Sequence, residues 1–431
     1  VATDLGKAVA SLASYIDKCR FFVVLAPTVV HEEGFIIDYL TWKTRGWCRY
    51  ERFARVMSSN LDTTMILVRG QEAVFQIAAF DYLFDPVGWG DFTVSRDKDA
   101  LAVLAADLLQ SKLRQLLRVE GLREYRHLLA MRNCLLDGLP NVLEGKPQDV
   151  SRAEILADFM NEFRLVSPTR CVDGTWPLSF ATVLGDTTIM QALIDQKARV
   201  DCKERRDNPA QYRVRGMQPL HIASACGHVA ALELLLRNGA DTNAQDVNGG
   251  TMLTTCVKDC PQFIRVALEI RADMSMRNRF GIAPLDAAAV HGRDAAAEIL
   301  LAAGHSPLAS SDGLNALHWV GLFSGSPKVT RRLIEARVSL ETQYTPRVGG
   351  PLWTVSTAGS LSYRLGVSTF FSRFSYHSFG MTPLMAATMF RNTSQVHVML
   401  AYGANPDARN RRGRTAGQIQ LEFAQPQVGR R

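Results

Sequence analysis

The sequence predicts a mainly α-helical solenoid, preceded by a small, incomplete α/β segment and a helical linker. Three observations carry this expectation. In the stretch 216–244, GMQPLHIASACGHVAALELLLRNGADTNA, Pro219 stands where a helix can begin, and Gly227 and Gly239 stand where two helices can end in the left-handed conformation. Between these landmarks Leu220, Ile222, Ala223, Val229, Leu232, Leu235 and Leu236 recur at helical spacing, giving each helix an apolar stripe that one unit alone cannot bury. The leucine of the PLH position then repeats along the chain at Leu178, Leu220, Leu253, Leu285, Leu317 and Leu384, with Gly417 in the equivalent place, at gaps of 42, 33, 32, 32, 67 and 33 residues.

The chain in order begins with a helix over 5–18 and an apolar run, Phe21 to Leu25, rich in β-branched and aromatic residues as a buried strand is. A loop from 28 to 44 follows, carrying His31, Glu32 and Glu33, which read better as solvated residues than as metal ligands. RGWCRYERFARVM then reads as a helix, and 65–68 as a second strand. This order, with an apolar strand ending in LAP and Trp47-Cys48 followed by Glu51 at the head of a helix, resembles the C-terminal part of a TIR domain, over about residues 5–95. The resemblance implies a role for Glu51 at the ribose of NAD in a TIR-like NAD hydrolase. The family's first strand, first helix and second strand have no counterpart in this chain. The competing reading is structural: Trp47 packs in the core and Glu51 pairs with Arg55 at i+4.

Residues 96–147 read as a helical linker. Leu101, Leu104, Leu108, Leu109, Leu113, Leu116 and Leu117 recur at three- and four-residue steps, a second helix is expected over 122–135, and Gly138, Pro140, Gly145 and Pro147 break the chain. A capping helix within 148–171 opens with SRAE, the spacing at which Ser151 and Glu154 satisfy each other's backbone donors. Its stripe of Leu156, Phe159, Met160 and Phe163 suits the apolar end of a solenoid.

From 172 onward WPLSFA, QPLHIA, APLDAA, NALHWV and TPLMAA stand in register, and TMLTTC, with Met252 in place of Pro, is the weakest copy. These motifs resemble the ankyrin repeat family over about residues 170–420. Repeats are expected at 172–344 and, with a basic tail, at 379–431. The stretch 345–378 has the length of a repeat without its motif and holds seven Ser, three Arg and no acid; of a degenerate repeat, a mistranslated segment and an insertion in one finger, it reads best as the insertion. The resemblance implies a scaffold or adaptor that binds a protein partner on the concave face formed by finger tips and first helices. Counting from the glycine landmarks assigns Phe280, Ile282, Val290, His291, Leu314, Leu322, Phe323, Phe379, Met381, Met389 and Phe390 to that face. Cover of the same face from within the chain, by 345–378 through Phe370, Phe371 and Phe374 or by the N-terminal region, is the alternative.

Composition limits the other classes. The formal charge of +7 is concentrated at the end, where residues 391–431 hold seven Arg against Asp407 and Glu422, whereas residues 1–140 are balanced at 17 basic and 17 acidic. Arg409, Arg411, Arg412 and Arg414 lack interleaved aromatics, which argues against nucleic acid and for a solvated finger. No run of 18 apolar residues is present, so no membrane span is expected. Eight Cys without a CxxC pair suit reduced thiols in an intracellular, cytoplasmic setting; Cys256 and Cys260 are a poor zinc site, and no Cys/His zinc spacing occurs. No phosphate loop, HExxH or GxSxG stands in the chain, His221 and His318 are expected to be structural, and no cofactor or metal is expected.

Overall fold

The computed structural model describes residues 11–33, 36–59, 64–70, 73–77, 85–140, 151–208, 213–256, 260–305, 313–323, 325–367 and 369–424. It divides into two compact units, 1–240 and 241–431.

The first unit opens with α1, helical over 11–18, and a small sheet. β1 (Phe22–Leu25) pairs in parallel with β4 (Met65–Gly70), and β5 (Ala73–Gln76) lies antiparallel on the other side of β4. The parallel pair requires a crossover, supplied by α2 (Tyr39–Thr44) and α3 (Gly46–Val56). The loop expected over 28–44 is thus only partly a loop: β2 (Val29–Val30) and β3 (Ile36–Ile37) form an antiparallel pair within it, and α2 closes it. Val24, Ala26, Tyr39, Met65, Leu67 and Ile77 form the core, with Phe22, Trp42 and Val56 packed against it. The expected helix 5–18 is seen from residue 11, its earlier positions lying outside the described residues.

α4 (Arg96–Arg118) and α5 (Leu122–Leu135) follow, the latter with the bounds the sequence indicates, and the linker residues 141–147 lie outside the described residues. α6 (Arg152–Glu162) starts at the anticipated capping box, in which Glu154 N donates to Ser151 Oγ at 3.3 Å and Ser151 N donates to Glu154 Oε2 at 2.9 Å. Helix pairs α7 (Pro177–Leu184) with α8 (Thr187–Asp195), and α9 (Pro219–Cys226) with α10 (Val229–Arg237), then stack, α7 on α9 and α8 on α10. α5 packs on α7 and α6 on α8 in the same manner. The pair α5 and α6 therefore closes the end of the stack together. Arg126 of α5 ties the two helices: it donates to the carbonyls of Phe163 at 2.8 Å and Arg164 at 3.0 Å and to Asp173 at 2.6 Å. Phe163, buried, lies 5.5 Å from the ring of Phe180 in α7.

The second unit begins at the weakest copy of the motif. Residues 252–255 form a turn in place of a first helix, and α11 (Pro261–Glu269) is the only helix of that pair among the described residues. The Thr251 carbonyl accepts from the backbone N–H groups of Thr254 and Thr255, both at 3.0 Å, and from their hydroxyls at 3.0 and 3.1 Å, which gives a single turn. The next pairs are α12 (Pro284–Val290) with α13 (Asp294–Ala302), and α14 (Ala316–Phe323) with α15 (Pro327–Glu335). After them come α16 (Pro351–Arg364) and α17 (Phe370–Ser378), which pack on each other. α18 (Pro383–Met389), α19 (Thr393–Ala401) and α20 (Ala416–Ala424) are the last elements among the described residues.

First helices form one row, α12 on α14, α14 on α18 and α18 on α20, and second helices another, α11 on α13, α13 on α15 and α15 on α19. α14 and α18 approach closely at Gly321, where an added Cβ would lie 2.8 Å from Ala387 N. Across the same junction Asn392 donates to the Gly321 carbonyl and Gln395 to that of Gly325. The two helices of 345–378 thus do not separate the pairs on either side of them.

Candidate interaction surface

The N-terminal ends of three first helices, α9, α12 and α14, are built alike. The backbone N–H just before each donates to a side chain three residues on: Gln218 N to His221 Nδ1 at 3.1 Å, Ala283 N to Asp286 Oδ2 at 2.8 Å, Asn315 N to His318 Nδ1 at 3.2 Å. Satisfying these orphan donors is a structural task. It fully buries His221 and His318, and burial drives the His318 imidazole down to about 4. Asp286 is pushed up to about 6 by its burial, against the opposing pull of the Ala283 N–H and Arg277, which lies 3.0 Å away.

What remains for a partner is the other end of the first-helix row and the finger tips. Phe323, the last residue of α14, is 58% exposed, with its ring stacked 6.1 Å from the buried Trp319. Phe280, on the finger before α12, is 38% exposed. Ile282, Val290, His291, Phe379 and Phe390 are half-buried. The remaining four assigned positions are corrected by the structure. Leu314, Leu322, Met381 and Met389 are buried, Leu314 and Met381 beside the helix starts and Leu322 and Met389 on the inner side of their helices, so they belong to the core and present no surface.

The cover that the sequence raised as an alternative is partial. Phe370 and Phe374 of α17 meet the ring of Phe390 edge-on at 5.1 and 5.5 Å, and Phe370 also meets Phe423 of α20 at 5.6 Å. Phe371 stays half exposed. The basic finger is likewise engaged: Arg412 lies 4.5 Å over the ring of Tyr376, Arg414 pairs with Glu422 at 2.9 Å, and Arg409 donates to the Gly413 carbonyl at 2.7 Å. No sequence signal foretold the stacked Trp319 beneath Phe323, because both lie in one apolar helix whose inner and outer faces look alike in composition.

Glu51 lies mid-way along α3, half-buried. Burial raises its pKa, and Arg45 offsets this in part. The i+4 pairing with Arg55 is not formed. Arg55 is fully buried and donates to the carbonyls of Cys19 at 2.8 Å and Arg20 at 3.2 Å. Trp47 is half-buried rather than in the core, its indole N–H donating to Asp97 at 2.8 Å. His31, Glu32 and Glu33 are exposed.

Residues 149–246 match the family model described as ankyrin repeats (3 copies), and residues 379–411 match that described as ankyrin repeat. The chain carries ankyrin repeats. The first match begins ahead of α6, in keeping with the stacking of α6 on α8. Among curated proteins, Rabankyrin-5 of Mus musculus is 31% identical over 107 residues, which is 24% of this chain and 9% of that protein. Among solved structures, the human ASB11 ankyrin repeat domain is 22% identical, with 58% of this chain and 99% of that chain covered at a TM-score of 0.40. The ankyrin repeat domain of Bcl-3 is 18% identical, with 57% and 95% covered at a TM-score of 0.40. Among the described residues no helix is long and apolar enough to cross a membrane.

Proposed function

We propose that this protein is an interaction scaffold whose ankyrin repeats bind a protein partner along the exposed ends of the first-helix row in 241–431. The supporting observation is Phe323, a large apolar ring left 58% exposed on a rigid helix and backed by Trp319, with Phe280 exposed on a preceding finger. Aromatic side chains on rigid supports are the usual energetic anchors of protein interfaces. Ile282, Val290, His291 and Phe379 complete the surface, while Phe390 is shared with α17. The eight cysteines, spaced without a CxxC pair, support an intracellular setting.

The test is affinity capture with the full chain, identification of the retained protein, and titration of that purified protein against wild type and variants. Phe280→Ala and Phe323→Ala should each weaken its binding by about 2 kcal/mol, with circular dichroism unchanged. Equal affinity for both variants would show that this face is not the docking site.

A further inference from the structure

In the unit 1–240, the last carbonyls of α7 face a group of soft ligand atoms. Cys134 comes from α5, Cys226 is the final residue of α9, and His228 is the N-cap of α10. Their ligand atoms, two sulfurs and one imidazole nitrogen, all lie within 4.8 Å of one another. Cys134 Sγ is 3.7 Å from His228 Nε2, and the Val183 carbonyl oxygen is 3.6 Å from that sulfur and 3.0 Å from that nitrogen. A tetrahedral zinc site with legs of about 2.0 to 2.3 Å has edges of about 3.3 to 3.8 Å. The sulfur-to-nitrogen and sulfur-to-oxygen edges are thus those of such a site, and the nitrogen-to-oxygen edge is slightly short.

We propose that Cys134, Cys226 and His228 bind a thiophilic divalent cation of the zinc type, with the Val183 carbonyl or a water completing the tetrahedron. Two thiolates neutralise the charge of the ion, so the buried position of Cys134 takes up no net charge. The balance is one divalent ion, two thiols and one neutral imidazole giving the complex and two protons. Soft thiolate ligands select zinc over magnesium or calcium. The carbonyl end of α7 adds the negative pole of a helix, which favours a cation. Asn133, beside Cys134, donates to the neighbouring Leu184 carbonyl at 2.8 Å, leaving that of Val183 to face the cluster. The imidazole is held over Gly185: an added Cβ there would lie 2.8 Å from its Nδ1 and Cε1. Such a site clips α5 to the repeat of α9 and α10 and locks the end of the stack.

The competing occupation of the same geometry is metal-free: His228 and Cys134 donating to the Val183 carbonyl, with a thiol pair open to oxidation. The full chain, reduced and freed of metal with a chelator, distinguishes the two by titration with Co2+ and then Zn2+. One Co2+ per chain should bind with thiolate-to-cobalt charge-transfer absorption and tetrahedral visible bands. Zn2+ should displace it and raise the Tm. Cys226→Ser, at a half-buried position, and Cys134→Ser should each lose the charge-transfer band, while Cys256→Ser keeps it. Absence of the band, or its persistence in both the Cys134 and Cys226 variants, overturns the proposal. So does a reduced chain that takes up no metal yet forms the Cys134–Cys226 disulfide with oxidised glutathione. Should Cys134→Ser unfold, Cys226→Ser alone decides.

Discussion

Single residues in this chain carry two kinds of constraint, and Gly185 meets both. Its φ of +72° is the left-handed cap that ends α7, and the imidazole of His228 rests where a side chain would project. Gly185→Ala should therefore lower unfolding stability by about 2 kcal/mol or more, since both the backbone and the histidine must move; a loss below about 0.5 kcal/mol in denaturant titration would contradict the tight approach. Glu51 gives the opposite lesson. The WCxxE spacing drew it toward a ribose-binding role, but burial raises its pKa and so opposes the anion that such a role needs, with only Arg45 offsetting. No measurable nicotinamide release from NAD is expected from this chain. Release that disappears in Glu51→Gln would establish the hydrolase reading instead.

At the scale of elements, periodicity and punctuation were sufficient wherever a helix carried its own caps. The SRAE box starts α6, and Pro219 and Gly227 bound α9. Elements fixed by tertiary contacts were not legible. The short β2 and β3 pair lies in what reads as a loop, and AVFQ is too short to announce β5. α5 read as linker because its partnership with α7 appears only in three dimensions. The pair α16 and α17 is the element whose standing can be tested directly. Tyr344 N donates to the Met381 carbonyl at 2.9 Å and Gly380 N to the Tyr344 carbonyl at 2.7 Å, so the two ends of 345–378 already lie side by side. We propose that this segment is an insertion. Its deletion should leave a cooperatively unfolding chain, with a modest drop in Tm from uncovering Phe390 and Phe423. Loss of cooperativity or a collapse in Tm would mean that the segment serves as a repeat in the stack.

Across the whole molecule the repeats were legible because one physical requirement, an apolar stripe needing neighbours, is written again at each period. The candidate surface was only half legible. Counting positions from glycines cannot tell Phe323, which is exposed, from Leu322, which is buried. The cluster of Cys134, Cys226 and His228 was invisible for a related reason: one of its members lies in a helix far upstream. Both units nevertheless share a property that follows from buried imidazoles. His127 is pushed down to about 3 by burial and, secondarily, by Arg213, and His318 to about 4 by burial. Both lie below the ordinary histidine value of about 6.5. As pH falls through that value the unfolded chain takes up protons that the folded chain refuses, so stability falls with acidification and levels off only near 3 to 4. At full titration the loss is on the order of 5 kcal/mol for His127 and 3 kcal/mol for His318. Asp286, raised to about 6, has the reverse sign: between 6 and the ordinary aspartate range its folded state binds the proton more tightly and offsets part of the loss in 241–431. Denaturant midpoints measured from pH 7 to pH 4 should therefore decline. The decline should be shallower in His127→Gln and in His318→Gln than in wild type, and steeper in Asp286→Asn. Parallel curves for all four proteins would show that these buried groups do not govern the acid response.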